Sequence, residues 1–330
     1  MVTIKDVAKK AGVSISTASY ALNNSGPVSA ETKERVIKAA EELKYRPNGN
    51  ARDLKSSKTN TIGLIVSDLA GPFFSELIRG VQEATLASGY DLMALSAIGG
   101  FDSTAAKFLK EKRTDAMIIF AHNLDDNLIK SAARQDMPIA LLDRRLSSKY
   151  IINIEVDNFN GAYKAVEYLI SLGYKRIAYI SGSDDSYDNI KRFEGYKAAL
   201  EAYGIGYAPK LCYKGNFIEA GGYQAAKLML LQNDLPQGIF AANDEMAIGA
   251  MEAFDEAGLK VGKDIAIIGF DDIRLAQYVD PPLTTIKQPV YEMGCLAVRL
   301  LMQALQGDFP NEEEIILPAE LIIRKSCGES

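Results

Sequence analysis

From Thr61 onward, short and almost uninterrupted apolar runs alternate with longer amphipathic stretches, a pattern that few architectures can accept. Strand-like runs fall at Ile62 to Val66, Asp91 to Leu95, Ala116 to Phe120, Ile139 to Leu142, Ile177 to Ile180, Gly238 to Ala241 and Ile265 to Gly269. Helical spacing marks Phe74 to Ala87, Leu124 to Ala133, Asn160 to Leu172, Arg192 to Ala202, Ala220 to Leu231 and Glu245 to Glu256. Strands that are apolar on both faces need helices on both faces, so the expected body is α/β with parallel sheets. A break near Asp157 and Asn158 divides it into two lobes. At 330 residues, 48% hydrophobic and 24% charged, the chain has material for more than one core.

The first 24 residues follow a different rule. Ile4, Val7, Ala8 and Ala11 recur at helical spacing, Gly12 breaks the run, and Ser14 is placed to cap a second helix whose inward face is Ala18, Ala21 and Leu22. Two short helices around a Gly-containing turn fit a helix-turn-helix, although spacing alone leaves a plain helical hairpin open. A third helix from about Ser29 to Lys44, with Val36, Ile37, Ala40 and Leu43 inward, would complete a three-helix head. Charge favours the first reading. Residues 1 to 60 hold eleven Lys or Arg against six Asp or Glu, and the totals of 37 and 43 leave 26 basic and 37 acidic residues for the rest. A cationic head on an anionic body suits a polyanion held at the N-terminus only.

TIKDVAKKAGVS at residues 3 to 14, the helix bearing Val36 and Ile37, YRPN at 45 to 48, ARDL at 51 to 54, IGLIV at 62 to 66, IGFDD at 268 to 272 and PPLTTIKQP at 281 to 289 occur in an order and spacing that resemble the LacI/GalR family of bacterial repressors. The resemblance covers essentially the whole chain. It implies a helix-turn-helix DNA-binding domain over 1–46, a hinge helix and linker over 47–60, and a two-lobed, periplasmic-binding-protein-like effector and dimerisation domain over 61–330. The implied chain crosses between lobes three times, with the first lobe at about 61–157 and 288–316 and the second at about 158–287 and 317–330.

In that family the residues matching Ile15, Ser16 and Tyr20 read base edges, and Ser14, Thr17 and Lys55 join them as candidate DNA contacts. This is a thin reader: Ile15 can touch a thymine methyl, and Ser16 and Tyr20 offer hydroxyls, but none makes the bidentate pairs that discriminate most strongly. Specificity must then come partly from the hinge, where the residue matching Leu54 wedges into the minor groove and makes a deformable centre preferable. Gly49 and Asn50 stand where apolar helix formers are usual and Asp53 sets a negative charge near phosphates, so the hinge is expected to fold only on DNA.

Ligands in open α/β lobes sit beyond the carboxyl ends of strands. The loops there carry Phe73 and Phe74, Asp143 and Arg144, the segment Asp184 to Arg192, Phe217, Asn243, Asp244 and Asp271. Carboxylates, an amide, an Arg and flat rings are the chemistry of sugar recognition. The family resemblance makes Phe73, Phe74, Arg192, Phe217, Asn243 and Asp271 pocket residues, and Asp143 is added from its place after a strand. Phe74 and Phe217 could instead be core, and Asn243 or Asp244 could merely cap a helix. Arg192 stands out because no helix interior requires it, and Asp271 because an apolar strand leads into it.

Other classes fit less well. No phosphate-binding loop or dinucleotide fingerprint is present, a single His122 leaves no His-based metal site or triad, and Cys212, Cys295 and Cys327 lack ligand spacing. Neither an enzyme nor a metal or other cofactor is expected. An exported sugar receptor of similar build would need a leader, and the polar, basic start offers none, so the expected location is the bacterial cytoplasm, at the nucleoid and away from membrane. The expected partners are a second copy of the chain, duplex DNA with a pseudo-palindromic operator, and a small effector, most simply a sugar. Beside the sugar receptor, the alternative is a corepressor protein in place of a small effector, docking near Arg299 and Arg324, although these two read more simply as exposed salt-bridge residues.

Overall fold

The computed structural model describes residues 2–45, 58–232, 235–310 and 314–328. Contacts divide the chain into two compact units, Met1–Thr59 and Asn60–Ser330.

In the first unit, α1 (Ile4–Ala11), α2 (Ile15–Asn23) and α3 (Ala30–Glu42) close around Val7, Ala8, Ala11, Ala18, Ala21, Val36, Ala39 and Ala40. Local chemistry sets their ends. The Asp6 carboxylate accepts the Thr3 amide at 2.8 Å, Gly12 at φ 65° turns the chain out of α1, and the Ser14 hydroxyl accepts the Thr17 amide at 3.0 Å. Ile37, expected inside, is 38% exposed, and Ala39 is buried instead. The inward stripe of α3 runs through 36, 39, 40 and 43; Ile37, one step of about 100° beyond Val36, falls on its shoulder.

The second unit holds two six-stranded sheets. The first comprises β1 (Thr61–Val66), β2 (Asp91–Ser96), β3 (Ala116–Phe120), β4 (Ile139–Leu142), β5 (Ile151–Val156) and β11 (Ile315–Leu317), in the order β11-β5-β4-β3-β1-β2, all parallel. The second comprises β6 (Ile177–Ser181), β7 (Cys212–Lys214), β8 (Gly238–Ala241), β9 (Ala266–Asp271), β10 (Thr284–Lys287) and β12 (Glu320–Ile322), in the order β12-β10-β9-β8-β6-β7, parallel except for the antiparallel edge strand β12. The chain passes from the first sheet to the second at Asp157, back at Gln288, and again at Pro318.

Helices cover the sheets. They are α4 (Pro72–Ala87), α5 (Thr104–Glu111), α6 (Asp126–Ala132) and α11 (Val290–Leu305) in the first lobe, and α7 (Asn158–Ser171), α8 (Tyr187–Ala202), α9 (Glu219–Leu230) and α10 (Asp244–Glu256) in the second. Among the described residues no helix is long and apolar enough to cross a membrane.

Sequence patterning misses β5, β7, β10, β11 and β12, and also α5 and α11. The instructive case is β5. Asn153 and Glu155 interrupt its apolar run, yet both are buried because Asn153 bonds the Leu146 amide and carbonyl while Glu155 receives Arg145. A strand whose polar side chains are satisfied from outside shows no apolar run of its own. The remaining missed strands are only three or four residues long, too short for a period to show.

Candidate functional site

The carboxyl ends of the parallel strands in both sheets open onto one cavity of about 590 Å³. From the first lobe come Ser67 to Phe74 after β1, Phe120 to His122 at the end of β3, and Asp143 to Arg145 after β4; the second contributes Ser183 to Arg192, Asn216 to Ile218, Asn243, Glu245 and Asp271. Five residues at or near the carboxyl ends of strands take left-handed backbone: Asp143 at φ 45°, Asn216 at 55°, Phe217 at 63°, Asp271 at 120° and Asp272 at 58°. Such conformations persist in non-glycine residues only where the surroundings hold them, and four of these five line the cavity.

Arg192 is the centre. It is 2% exposed, its Nε donates to Asn158 Oδ1 at 2.8 Å, and its Nη1 donates to the Ala242 carbonyl at 2.6 Å. Carboxylates of Asp188 and Asp271 each lie 3.6 Å from it, and the guanidinium sits 3.9 Å over the Phe270 ring. The guanidinium thus has hydrogen-bond acceptors, countercharge and a ring face together, which a buried cation requires. Contrary to the sequence argument, Arg192 does sit in a helix interior. α8 begins five residues earlier, at Tyr187, because Asp188 and Asn189 continue the helix in spite of their polarity. Asn189 there is buried, and its side chain donates to the Ser183 carbonyl and accepts from the Gly182 amide and the Tyr179 hydroxyl.

Asp271 is held from the other side by Gln288, whose amide donates at 2.6 Å. Burial pushes the Asp271 carboxyl well above its ordinary range, with Arg192 opposing. Asp143 is 4% exposed; one oxygen accepts the Val156 amide at 2.8 Å and the other has no partner among the described residues. Burial, followed by the Asp188 charge, pushes this carboxyl up to about 7. Glu245 is raised to about 7 by burial and by the Glu219 and Asp68 carboxylates. Phe73, Phe74 and Phe120 meet edge to face with centroids 5.2 to 5.6 Å apart and form the apolar wall of the first lobe.

The cavity brings together Phe73, Phe74, Asp143, Arg192, Phe217, Asn243 and Asp271. Asn243 has two roles. Its Oδ1 accepts the Met246 amide to cap α10, and its Nδ2 donates to the Phe217 carbonyl. Asp244 lies behind the site, fully buried, accepting from the Ile273 amide and the Thr285 hydroxyl. Arg144 also points away from ligand work, donating to the carbonyls of Ala121 and Leu124 and pairing with Asp126. Sequence reasoning missed Asn158, Gln288, Phe120 and Glu245. Asn158 and Gln288 stand on two of the three crossings, and no local pattern marks a crossing. Phe120 ends a predicted strand beside the loops singled out, and Glu245 follows Asn243 directly, so position alone could have pointed to both.

In the head, Ile15 and Tyr20 are 47% and 45% exposed and Ser16 is also exposed, on the side of α2 away from its core. Ser14 and Thr17 bond each other, hydroxyl to hydroxyl at 2.8 Å, as part of the cap. Leu54 and Lys55 lie outside the described residues. Arg299 is exposed, and Arg324 is a salt-bridge residue, although not an exposed one. Arg324 donates to the Leu283 carbonyl at 2.8 Å and to Asp272 at 2.6 Å, with a largely buried side chain that ties the chain end to the second lobe.

Two lobes with a ligand cavity at their strand ends, on a chain that begins with a helix-turn-helix, define a ligand-responsive DNA-binding regulator. Residues 3–48 match bacterial regulatory proteins of the lacI family, and residues 166–327 match a periplasmic-binding-protein-like domain. The HTH-type transcriptional repressor PurR of Pasteurella multocida (strain Pm70) is 36% identical over 329 residues, covering 99% of this chain and 98% of its own. Among solved structures, the Lac repressor dimer bound to operator and the anti-inducer ONPF aligns with a TM-score of 0.82 at 32% identity over 99% of both chains. The transcriptional regulator CelR in complex with cellobiose aligns at 0.73 and 29% identity, over 99% of this chain and 100% of its own. The chain belongs to the LacI family of bacterial regulatory proteins. It is an effector-controlled transcriptional regulator and not an enzyme.

Proposed function

We propose that this protein acts in the cytoplasm as a homodimeric repressor that grips a pseudo-palindromic operator and releases or tightens it when a sugar enters the cleft. The observation that carries the sugar assignment is the joining, in one cavity, of a buried Arg–Asp pair, an amide and a wall of aromatic rings. Arg192, Asp271, Asn243 and Asp143 offer hydrogen-bond partners to ring hydroxyls, while Phe73, Phe74 and Phe217 cover C–H surface. The cellobiose in the CelR complex fits the same reading. Ile15, Ser16 and Tyr20 are assigned to the major groove, with Ser14, Thr17 and Lys55 beside them and Leu54 as the minor-groove wedge. The functional parts run over 1–46, 47–60 and 61–330, with a hinge between head and sensor. Effector acts by preferring one arrangement of the lobes, and operator affinity shifts only by that preference.

The test is a thermal-shift screen over sugars, sugar phosphates and nucleobases, followed by operator titrations with any hit. Ligand at 100 times its dissociation constant adds about 2.7 kcal/mol of stability. Asp271→Asn keeps an acceptor for Gln288 but removes the charge beside Arg192; it should blunt the effector response at least tenfold with operator affinity unchanged. Equal loss of DNA binding would assign Asp271 to the scaffold.

A further inference from the structure

The electrostatics of the cleft narrow its ligand beyond the sugar reading, on which this inference rests. Three guanidiniums line the cavity and each already lies against one or more carboxylates. Arg192 has two countercharges, Asp188 and Asp271, each 3.6 Å away, and donates to Asn158 and the Ala242 carbonyl, which leaves its other N–H groups for uncharged hydroxyls. Arg144 spends its fork on the Ala121 and Leu124 carbonyls and on Asp126. Arg145 is bidentate to Glu155, at 2.8 and 3.2 Å, and pairs with Glu314 as well.

The carboxylates are less completely spent. One Asp143 oxygen is buried without a partner, and Glu245 makes no ion pair among the described residues while facing Asp68 from the opposite lobe. Helix N-termini could still attract an anion, but α8 and α10 already carry acids in their first turns, Asp188 in the one and Asp244 and Glu245 in the other. The start of α4 offers Pro72, which has no N–H, beneath Phe73 and Phe74.

We propose that the cleft selects a polyhydroxylated ring carrying no negative charge, an uncharged or amino sugar, with a ligand O–H or N–H donating to the unpartnered oxygen of Asp143, and that it rejects the phosphorylated and uronate forms of the same ring. A phosphate or carboxylate would have to compete with Asp188 and Asp271 for the charge of Arg192, adding a further negative charge beside two that are already there. A hydroxyl or ammonium instead supplies the donor that Asp143 lacks. The upward push on the Asp143 and Glu245 carboxyls has the same origin, burial reinforced by neighbouring acids, which Arg192 opposes only in part at Asp143.

The experiment is calorimetric titration of the full chain with aldopentoses, aldohexoses and disaccharides, each beside its phosphate, uronate and 2-amino derivatives where these exist. The expected result is a neutral or amino sugar that binds at least 100-fold more tightly than the phosphate or uronate of the same ring. A phosphate or uronate that binds as tightly as its parent overturns the charge selection and leaves the sugar reading standing; failure of every sugar, whatever its charge, overturns both. In Asp188→Asn, one countercharge of Arg192 is gone, so the ratio of uronate to parent-sugar affinity should rise at least tenfold. An unchanged ratio in a variant with the parent's melting temperature also counts against the proposal.

Discussion

Asp143 combines two demands in one side chain. One oxygen is bonded to the Val156 amide and the other is buried with no donor, and burial together with the Asp188 charge pushes the carboxyl up to about 7. An unfolded Asp titrates near 3.9, so between about pH 4 and pH 7 the folded state holds the extra proton. Stability from this group is therefore complete below about pH 4 and is lost as pH rises through about 7. Asp143→Asn keeps the acceptor for Val156 and removes the titration. Without ligand it should be more stable than the parent by about 2–4 kcal/mol at pH 8 and indistinguishable from it at pH 4. Urea denaturation at the two pH values checks this; an equal difference at both would mean that the Asp143 charge is not the cause. The same substitution should weaken ligand binding, since a functional site can hold a group that folding alone would not select. Arg192 shows the reverse case, a charge so fully matched that it serves as a fixed post for its neighbours.

At the scale of elements, the first lobe depends on how closely α4 approaches α11. A Cβ on Gly80 would lie 2.3 Å from the Tyr291 carbonyl oxygen, a contact that only movement of one helix could relieve. The exposed face of the pair is tied by Arg79 over the Tyr291 ring at 4.4 Å and by the Tyr291 hydroxyl to Glu83 at 2.6 Å. Gly80→Ala should cost about 1–3 kcal/mol by overpacking, although alanine favours helix. Because Phe73 and Phe74 open α4, ligand affinity should fall with stability, and a melting temperature equal to the parent's would show that the helices yield freely. In the head, Ser14→Ala removes the cap of α2 and should cost about 1 kcal/mol of local stability. Amide exchange in α2 reports it, and unchanged protection there would rule the cap out.

At the scale of the molecule, residues 1 to 60 carry eleven basic and six acidic side chains, while the rest of the chain is strongly acidic. DNA affinity should therefore reside in the head and be steep in salt. With six or more phosphates neutralised across a dimer, operator affinity should drop about 10³-fold between 50 and 200 mM salt, with a similar slope for unrelated duplex. Fluorescence anisotropy at graded salt measures it; a flat salt response would remove the electrostatic role of the head. Coupling is reciprocal, so whatever factor the effector imposes on operator binding, operator must impose on effector binding. Calorimetry with and without operator tests that equality.

Local chemistry sufficed wherever one segment decides its own state. The apolar runs β1, β3, β4, β6 and β8, the caps at Ser14 and Asn243, and the basic excess of the first 60 residues all follow from neighbours in the chain, because periodicity, capping and charge act over a few residues. Tertiary structure alone decided the rest. β5 is a strand because Arg145 and Leu146 satisfy Glu155 and Asn153 from outside it, and Arg192 can be buried inside α8 because Asn158, 34 residues before it, and Asp271, far along the chain, come to meet it. Gln288 reaches Asp271 only because the chain crosses back between sheets at that point. A buried polar group is tolerated by partners that the fold delivers from a distance, and that distance is what a reading along the chain does not contain.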